Sequence, residues 1–75
     1  PWLSAVTSRF KLVISKSDKP WFIDLQADPS EVVNLYGQSK HNLLIRRLTE
    51  ELRDYARKHD DPHVRIPEIR QQLFG

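Results

Sequence analysis

Seventy-five residues allow one domain at most, and a chain this short buries only about 60% of the surface its unfolded form exposes, so its core is small. Twelve Lys and Arg against ten Asp and Glu leave a formal charge of +2, with the signs interspersed, which favours a solvated mixed-charge surface over a nucleic-acid footprint. The absence of cysteine excludes disulfides, thiolate zinc sites and cysteine nucleophiles and leaves the compartment undetermined, while no apolar run has the length of a membrane span. The chain begins at Pro1 without a Met or a signal-like run and is read as a segment of something larger, from which its localisation must come.

In chain order, the first expected element is a strand over Trp2 to Thr7, with Leu3, Ala5 and Thr7 on one side and Trp2, Ser4 and Val6 on the other. A second strand is expected over Arg9 to Ser15, where Phe10, Leu12 and Ile14 alternate with Lys11, Val13 and Ser15 at the period of a half-buried strand. The polar connector Ser15 to Pro20 suits a hairpin, because Pro20 cannot continue a central ladder. The chain then returns over Trp21 to Leu25, with Trp21, Ile23 and Leu25 expected inward and Phe22 and Asp24 outward.

Asp28-Pro29-Ser30-Glu31 has the form of a helix start and predicts a single turn: Asp28 as the cap, Pro29 in the first helical position, Glu31 reaching back to the cap. A long helix is expected from about Lys40 to Lys58, capped by Ser39. Leu44, Ile45, Leu48, Leu52, Tyr55 and Ala56 form its apolar stripe, opposite a face of Arg46, Arg47, Glu50, Glu51, Arg53, Asp54, Arg57 and Lys58. Ile66, Ile69, Leu73 and Phe74 follow at near-helical spacing, and Pro67 can open a last short helix. The predicted fold is α+β: a small antiparallel sheet of about three strands packed against one long C-terminal helix. The expected organisation is a subdomain over residues 1–61 followed by a C-terminal tail over 62–75 with room for a short helix.

One ordered combination of residues carries a resemblance. Lys11-Leu12, Asp24-Leu25, Asp28-Pro29, Glu31 and Asn34-Leu35 fall in the order in which proteins of the alkaline-phosphatase-like sulfatase family, the arylsulfatases among them, commonly close. That family ends on a Tyr-Lys-Leu strand, a Leu-Tyr-Asp-Leu strand, an Asp-Pro-x-Glu-x-x-Asn-Leu segment and a helix. The resemblance spans roughly Ala5 to Asp61. Phe22-Ile23 stand where the family usually has Leu-Tyr, and Ser30 where Gly is frequent, so it reaches a family and not one substrate.

The resemblance implies the C-terminal subdomain of a sulfatase, which completes the fold of the catalytic domain and borders its substrate cleft. A sulfatase of this kind hydrolyses a sulfuric ester with a formylglycine, made from the Cys or Ser of C/S-x-P-x-R, beside a divalent cation, calcium being the expected one. No C/S-x-P-x-R motif can be read here, so no catalytic residue is expected in this chain, and nucleophile, cation and sulfated substrate belong to the parent. Asp28, Glu31, Asn34 and Leu35 are then structural, with Asn34 pinning the loop to the sheet through backbone hydrogen bonds while Leu35 is buried. Arg9 and Lys11 are the substrate-binding candidates, because cationic side chains bind sulfate oxygens well.

His59, Asp60, Asp61 and His63 share metal-ligand chemistry, but they lie at a helix exit beside Pro62 without further ligands at a defined spacing, and they read as a solvated loop rather than a metal site. His41 reads as an exposed first-turn residue. Two alternatives remain open: a stand-alone interaction module that uses Ile66 to Phe74 as an amphipathic anchor, and a small nucleic-acid binder that uses Arg46, Arg47, Arg53 and Arg57.

Overall fold

A computed structural model describes residues 2–75. Alternating apolar residues give three strands, β1 (Trp2–Val6), β2 (Phe10–Ser15) and β3 (Trp21–Asp24), hydrogen-bonded in the order β1-β2-β3 as an antiparallel meander. Thr7 shapes the first turn: its Oγ1 accepts from the backbone N–H of Arg9 at 3.1 Å and of Phe10 at 2.8 Å. In the second, Asp18 accepts from the Lys19 N–H at 2.8 Å and the Trp21 indole N–H at 2.9 Å. These bonds hold the Asp18 carboxyl below its ordinary value, the Trp21 bond being the larger cause.

The apolar stripe expected beyond Lys40 forms α1 (Asn42–His59), entered through a 3-10 turn at Ser39–His41. Ser39 makes no capping bond with its side chain, in contrast to the expectation, and the α1 N-terminus has no side-chain cap at all. Ile45, Leu48, Leu52 and Ala56 are buried, whereas Tyr55, expected in the stripe, is half exposed at its edge. At the other end Asp60 adopts a left-handed conformation, φ 47°, that ends the helix. The chain continues through a 3-10 turn, Pro62–Arg65, into α2 (Pro67–Phe74), with Pro67 in the first turn as its fixed φ favours.

Leu3, Leu12, Ile14 and Phe22 from the sheet, Ile45, Leu48 and Leu52 from α1, and Ile69 and Leu73 from α2 form one cluster. The 62–75 stretch is therefore part of the same core as the strands. Ile69 and Leu73, the centre of the apolar anchor in the interaction-module alternative, are fully buried against this chain itself.

Two further expectations are corrected in this region of the chain. Phe22 and Asp24 do not face outward. The register pairs Leu12 with Phe22 and Phe10 with Asp24, and cross-strand partners share a face, so Phe22 lies on the helix-covered side with Leu12 and is completely buried. Its ring stacks on Phe10, centroids 5.2 Å apart. Ile23, on the other face, is also buried, so β3 is covered on both sides and alternation could not set its phase.

The second correction concerns residues 28–31, which form no helical turn. Asp28 does accept backbone N–H groups, but from Val32 at 3.0 Å and Val33 at 2.8 Å, across a turn closed by the Glu31 N–H on the Asp28 carbonyl at 3.0 Å. Glu31 sits at φ 57°, a left-handed conformation incompatible with helix, and its carboxylate does not return to a cap.

Candidate functional site

The segment after β3 is built by backbone bonds supplied from side chains. Asn34 accepts from the Phe22 N–H at 3.0 Å and the Tyr36 N–H at 3.0 Å, and donates to the Pro20 carbonyl at 3.1 Å. Beside it the Leu35 N–H donates to the Phe22 carbonyl at 2.7 Å. Residues 34–35 thus take the place of a neighbouring strand along the free edge of β3 and satisfy donors and acceptors that would otherwise need water. Leu35 is half-buried, packed against the core cluster.

The loop brings a cleft of about 320 Å³ together from distant parts of the chain: Arg9, Asp24, Asp28 and Leu35 with Lys40 and His41. Its fixed centre is Asp24, only 7% exposed. Arg9 grips this carboxylate in a fork, Nε at 3.2 and 3.3 Å from its two oxygens and Nη2 at 2.8 Å. The Gln26 and Ala27 N–H groups, each at 3.1 Å, complete the shell. With the Arg9 bond the largest cause, the Asp24 carboxyl is held down to about 2, and the Arg9 guanidinium is raised in turn. A planar fork against a carboxylate is the geometry for which arginine is suited and lysine is not.

His41 closes one wall. It is half-buried, not exposed as the sequence suggested, with its ring 5.7 Å from Phe10 and 5.3 Å from Phe22. Cross-strand register brings those two rings together, and a local reading of Lys40-His41-Asn42 carries no signal of it.

Arg9 and Lys11 are not brought together. Arg9 lies against Asp24 at the cleft, whereas Lys11 pairs with Ile23 across the ladder and so points to the other face of the sheet. There its Nζ meets Glu31 at 2.9 Å. The pair runs from β2 to the loop beyond β3, on the face of the sheet that also carries Ile23. Of the two candidates, Arg9 alone borders the cleft.

At the α1 exit, Asp61 accepts from the backbone N–H of His63 and lies 2.7 Å from its ring Nδ1, and these contacts lower the Asp61 carboxyl from its ordinary value. Asp60 pairs with Arg65 at 3.0 Å. Among the described residues, no group of three or more His, Asp or Glu side chains is arranged to hold a metal ion, and no helix is long and apolar enough to cross a membrane. On α1, Arg47 pairs with Glu51 at 3.9 Å and Arg57 with Asp54 at 3.8 Å, while Arg53 turns to the C-terminal helix and donates from Nε to the Leu73 carbonyl.

No family model, curated protein or solved structure matches the chain.

Proposed function

We propose that this chain is the C-terminal subdomain of a sulfatase, that it completes the fold of a catalytic domain lying upstream, and that it borders the cleft in which that domain hydrolyses a sulfuric ester. The observation that carries the reading is the course of Asp28-Pro29-Ser30-Glu31-Val32-Val33-Asn34-Leu35. Four of the five residues that carry the resemblance in this stretch have a physical task. Asp28 closes the turn, Glu31 bridges to Lys11, Asn34 supplies three bonds at the edge of β3, and Leu35 packs on the core. Those tasks support the reading in this chain, and the resemblance supplies the rest. The parent contributes the formylglycine and the calcium site, and this chain contributes Arg9 at the cleft rim, its orientation fixed by Asp24. One Nη nitrogen of Arg9 remains for a sulfate oxygen, and its side chain is half exposed.

The test is the complete reading frame that encodes this chain. It is expected to carry C/S-x-P-x-R upstream of residue 1 and, once expressed with a formylglycine-generating activity and calcium, to hydrolyse an aryl sulfate. The 75-residue chain alone is expected to show no turnover. Arg9→Gln in the full protein should raise KM more than it lowers kcat. A reading frame without that motif, or turnover by the isolated chain that survives repurification, would overturn the proposal.

A further inference from the structure

The sheet has two edges, and the chain treats them differently. Along β3, Asn34 and Leu35 bond the Phe22 backbone and close the edge. Along β1 the edge is bare. The Thr7 N–H donates to the Phe10 carbonyl at 2.8 Å, and bonding toward one neighbour alternates along an antiparallel strand, so Ala5 and Leu3, paired with Leu12 and Ile14, also turn their backbone groups to β2. The N–H and C=O groups of Trp2, Ser4 and Val6 therefore point away from the sheet, and among the described residues nothing meets them. Open edges are usually blunted by a charge, a proline or a bulge. The stretch Trp2–Val6 carries none of these: its residues are uncharged, and its register with β2 runs without a break.

The order of side chains along this edge is self-complementary. Laid antiparallel against a copy of itself with Ser4 opposite Ser4, the strand exchanges backbone bonds at every outward residue, Ser4 with Ser4 and Trp2 with Val6. On the outer face an aromatic ring then meets a β-branched side chain on either side of the paired Ser4 hydroxyls, a cross-strand pairing that stabilises sheets. On the helix face Leu3 meets Ala5, large against small. A slip of two residues leaves outward groups unmet, and a slip of one sets outward groups against inward ones. The two-fold axis of this pairing stands perpendicular to the sheet, so the helices of both copies stay on one side and the sheet continues through the contact.

The surroundings of the edge also favour an uncharged strand. On the helix side a groove of about 380 Å³ runs between β1 and α1, with Tyr55 half exposed in its wall. Its carboxylates are already partnered, Glu51 by Arg47 and Asp61 by His63, which leaves no free charge to select a charged segment.

We infer that the β1 edge is an interface between two copies of this chain, paired antiparallel through Trp2–Val6 about a two-fold axis at Ser4. The inference does not depend on the sulfatase reading, which concerns the outer face of the sheet and the Arg9 cleft rather than this edge.

Sedimentation and amide hydrogen exchange of the 75-residue chain over a concentration series test it. A monomer–dimer equilibrium is expected, in which the Ser4 and Val6 amides exchange more slowly as the dimer fills, while those of Leu3 and Ala5, bonded within the chain, change little. In a mixture of differently labelled copies, nuclear Overhauser contacts should join Trp2 of one copy to Val6 of the other. Ser4→Pro removes an outward N–H that the monomer does not use, and each dimer loses it twice, so the dissociation constant should rise about tenfold or more while the folded spectrum is kept. Ser4→Lys, which sets like charges opposite one another, should also weaken the dimer, whereas Ser17→Lys in the exposed connector should leave it intact. A chain that stays monomeric at millimolar concentration, contacts between copies at Val13 and Trp21 in place of Trp2 and Val6, exchange at Ser4 and Val6 that ignores dimerisation, or a Ser4→Lys variant that pairs as well as the wild type would each overturn the inference.

Discussion

Asn34 does with one side chain what a neighbouring strand would do with a backbone. It meets two donors and one acceptor at the border of β3, and Asn34→Ala would leave the Phe22 N–H facing a gap beside the most buried ring of the core. At about 1 kcal/mol per bond lost, this substitution should cost roughly 1–3 kcal/mol in a denaturant melt. Glu31 weighs two opposing effects. Its left-handed backbone costs a non-glycine residue about 1–2 kcal/mol, while a partly exposed pair with Lys11 contributes about 0.2–1 kcal/mol. Glu31→Gly should therefore be neutral or stabilising, whereas Glu31→Ala, which loses the pair and keeps the strain, should destabilise; an ordering the other way round would place the value of Glu31 in its ion pair. Asp24 sets the acid limit. Its folded value of about 2 lies below the ordinary 3.8, so protonation favours the unfolded chain. The contribution is complete above pH 4 and is lost as pH falls from about 4 to about 2. Asp24→Asn should flatten the stability profile in that window, and an unchanged acid limb would show that the Arg9–Asp24 fork does not couple to folding.

The elements divide by how much of their structure is local. The stripe on α1 is read from sequence because every fourth or third residue reports the same face, and Leu48 and Ile69 test its consequence. Each lies in a closed aliphatic core, so Leu48→Ala and Ile69→Ala should each cost about 2–5 kcal/mol, and Arg47→Ala, on the solvent face, less than about 0.5 kcal/mol. A mild effect at Ile69 in thermal or denaturant melts would mean that α2 docks loosely. The meander and the long helix were legible for the same reason, since alternation in β2 and the stripe in α1 each expose one face to water. The phase of β3 was not, because Trp21-Phe22-Ile23 is apolar on both sides, and only the Leu12–Phe22 register assigns the faces. Nor was the Asp28 turn. Asp-Pro-x-Glu describes a helix start equally well, and the choice was made by the left-handed Glu31 and its tertiary partner Lys11. The Arg9 cleft was half legible: the cation could be named from its chemistry, but Asp24, Lys40 and His41 reach it through the register and the loop.

For the molecule as a whole, the question is what the uncovered side of the sheet faces. Register places Val13 with Ser4 and Trp21, and Val6 with Lys11, on the side away from α1 and α2. Trp2 and Val6 there are more than half exposed, at 58% and 60%, and Val13 is only half-buried. Trp2 and Val6, exposed on one sheet face beside half-buried Val13, are side chains that a docked catalytic domain would cover under the proposed reading. The isolated chain should accordingly self-associate or bind a hydrophobic dye while folded. Val6→Thr with Val13→Thr keeps strand propensity and removes methyl surface, so the double variant should reduce association, measured by sedimentation, without lowering the melting midpoint by more than a few degrees. Phe22→Thr is the internal contrast: it empties a fully buried ring site stacked on Phe10 and should unfold the chain. A wild-type chain that sediments as a monomer at high concentration and leaves the dye dark would show that the outer face needs no covering, and the subdomain reading would then rest on the Asp28 to Leu35 segment alone.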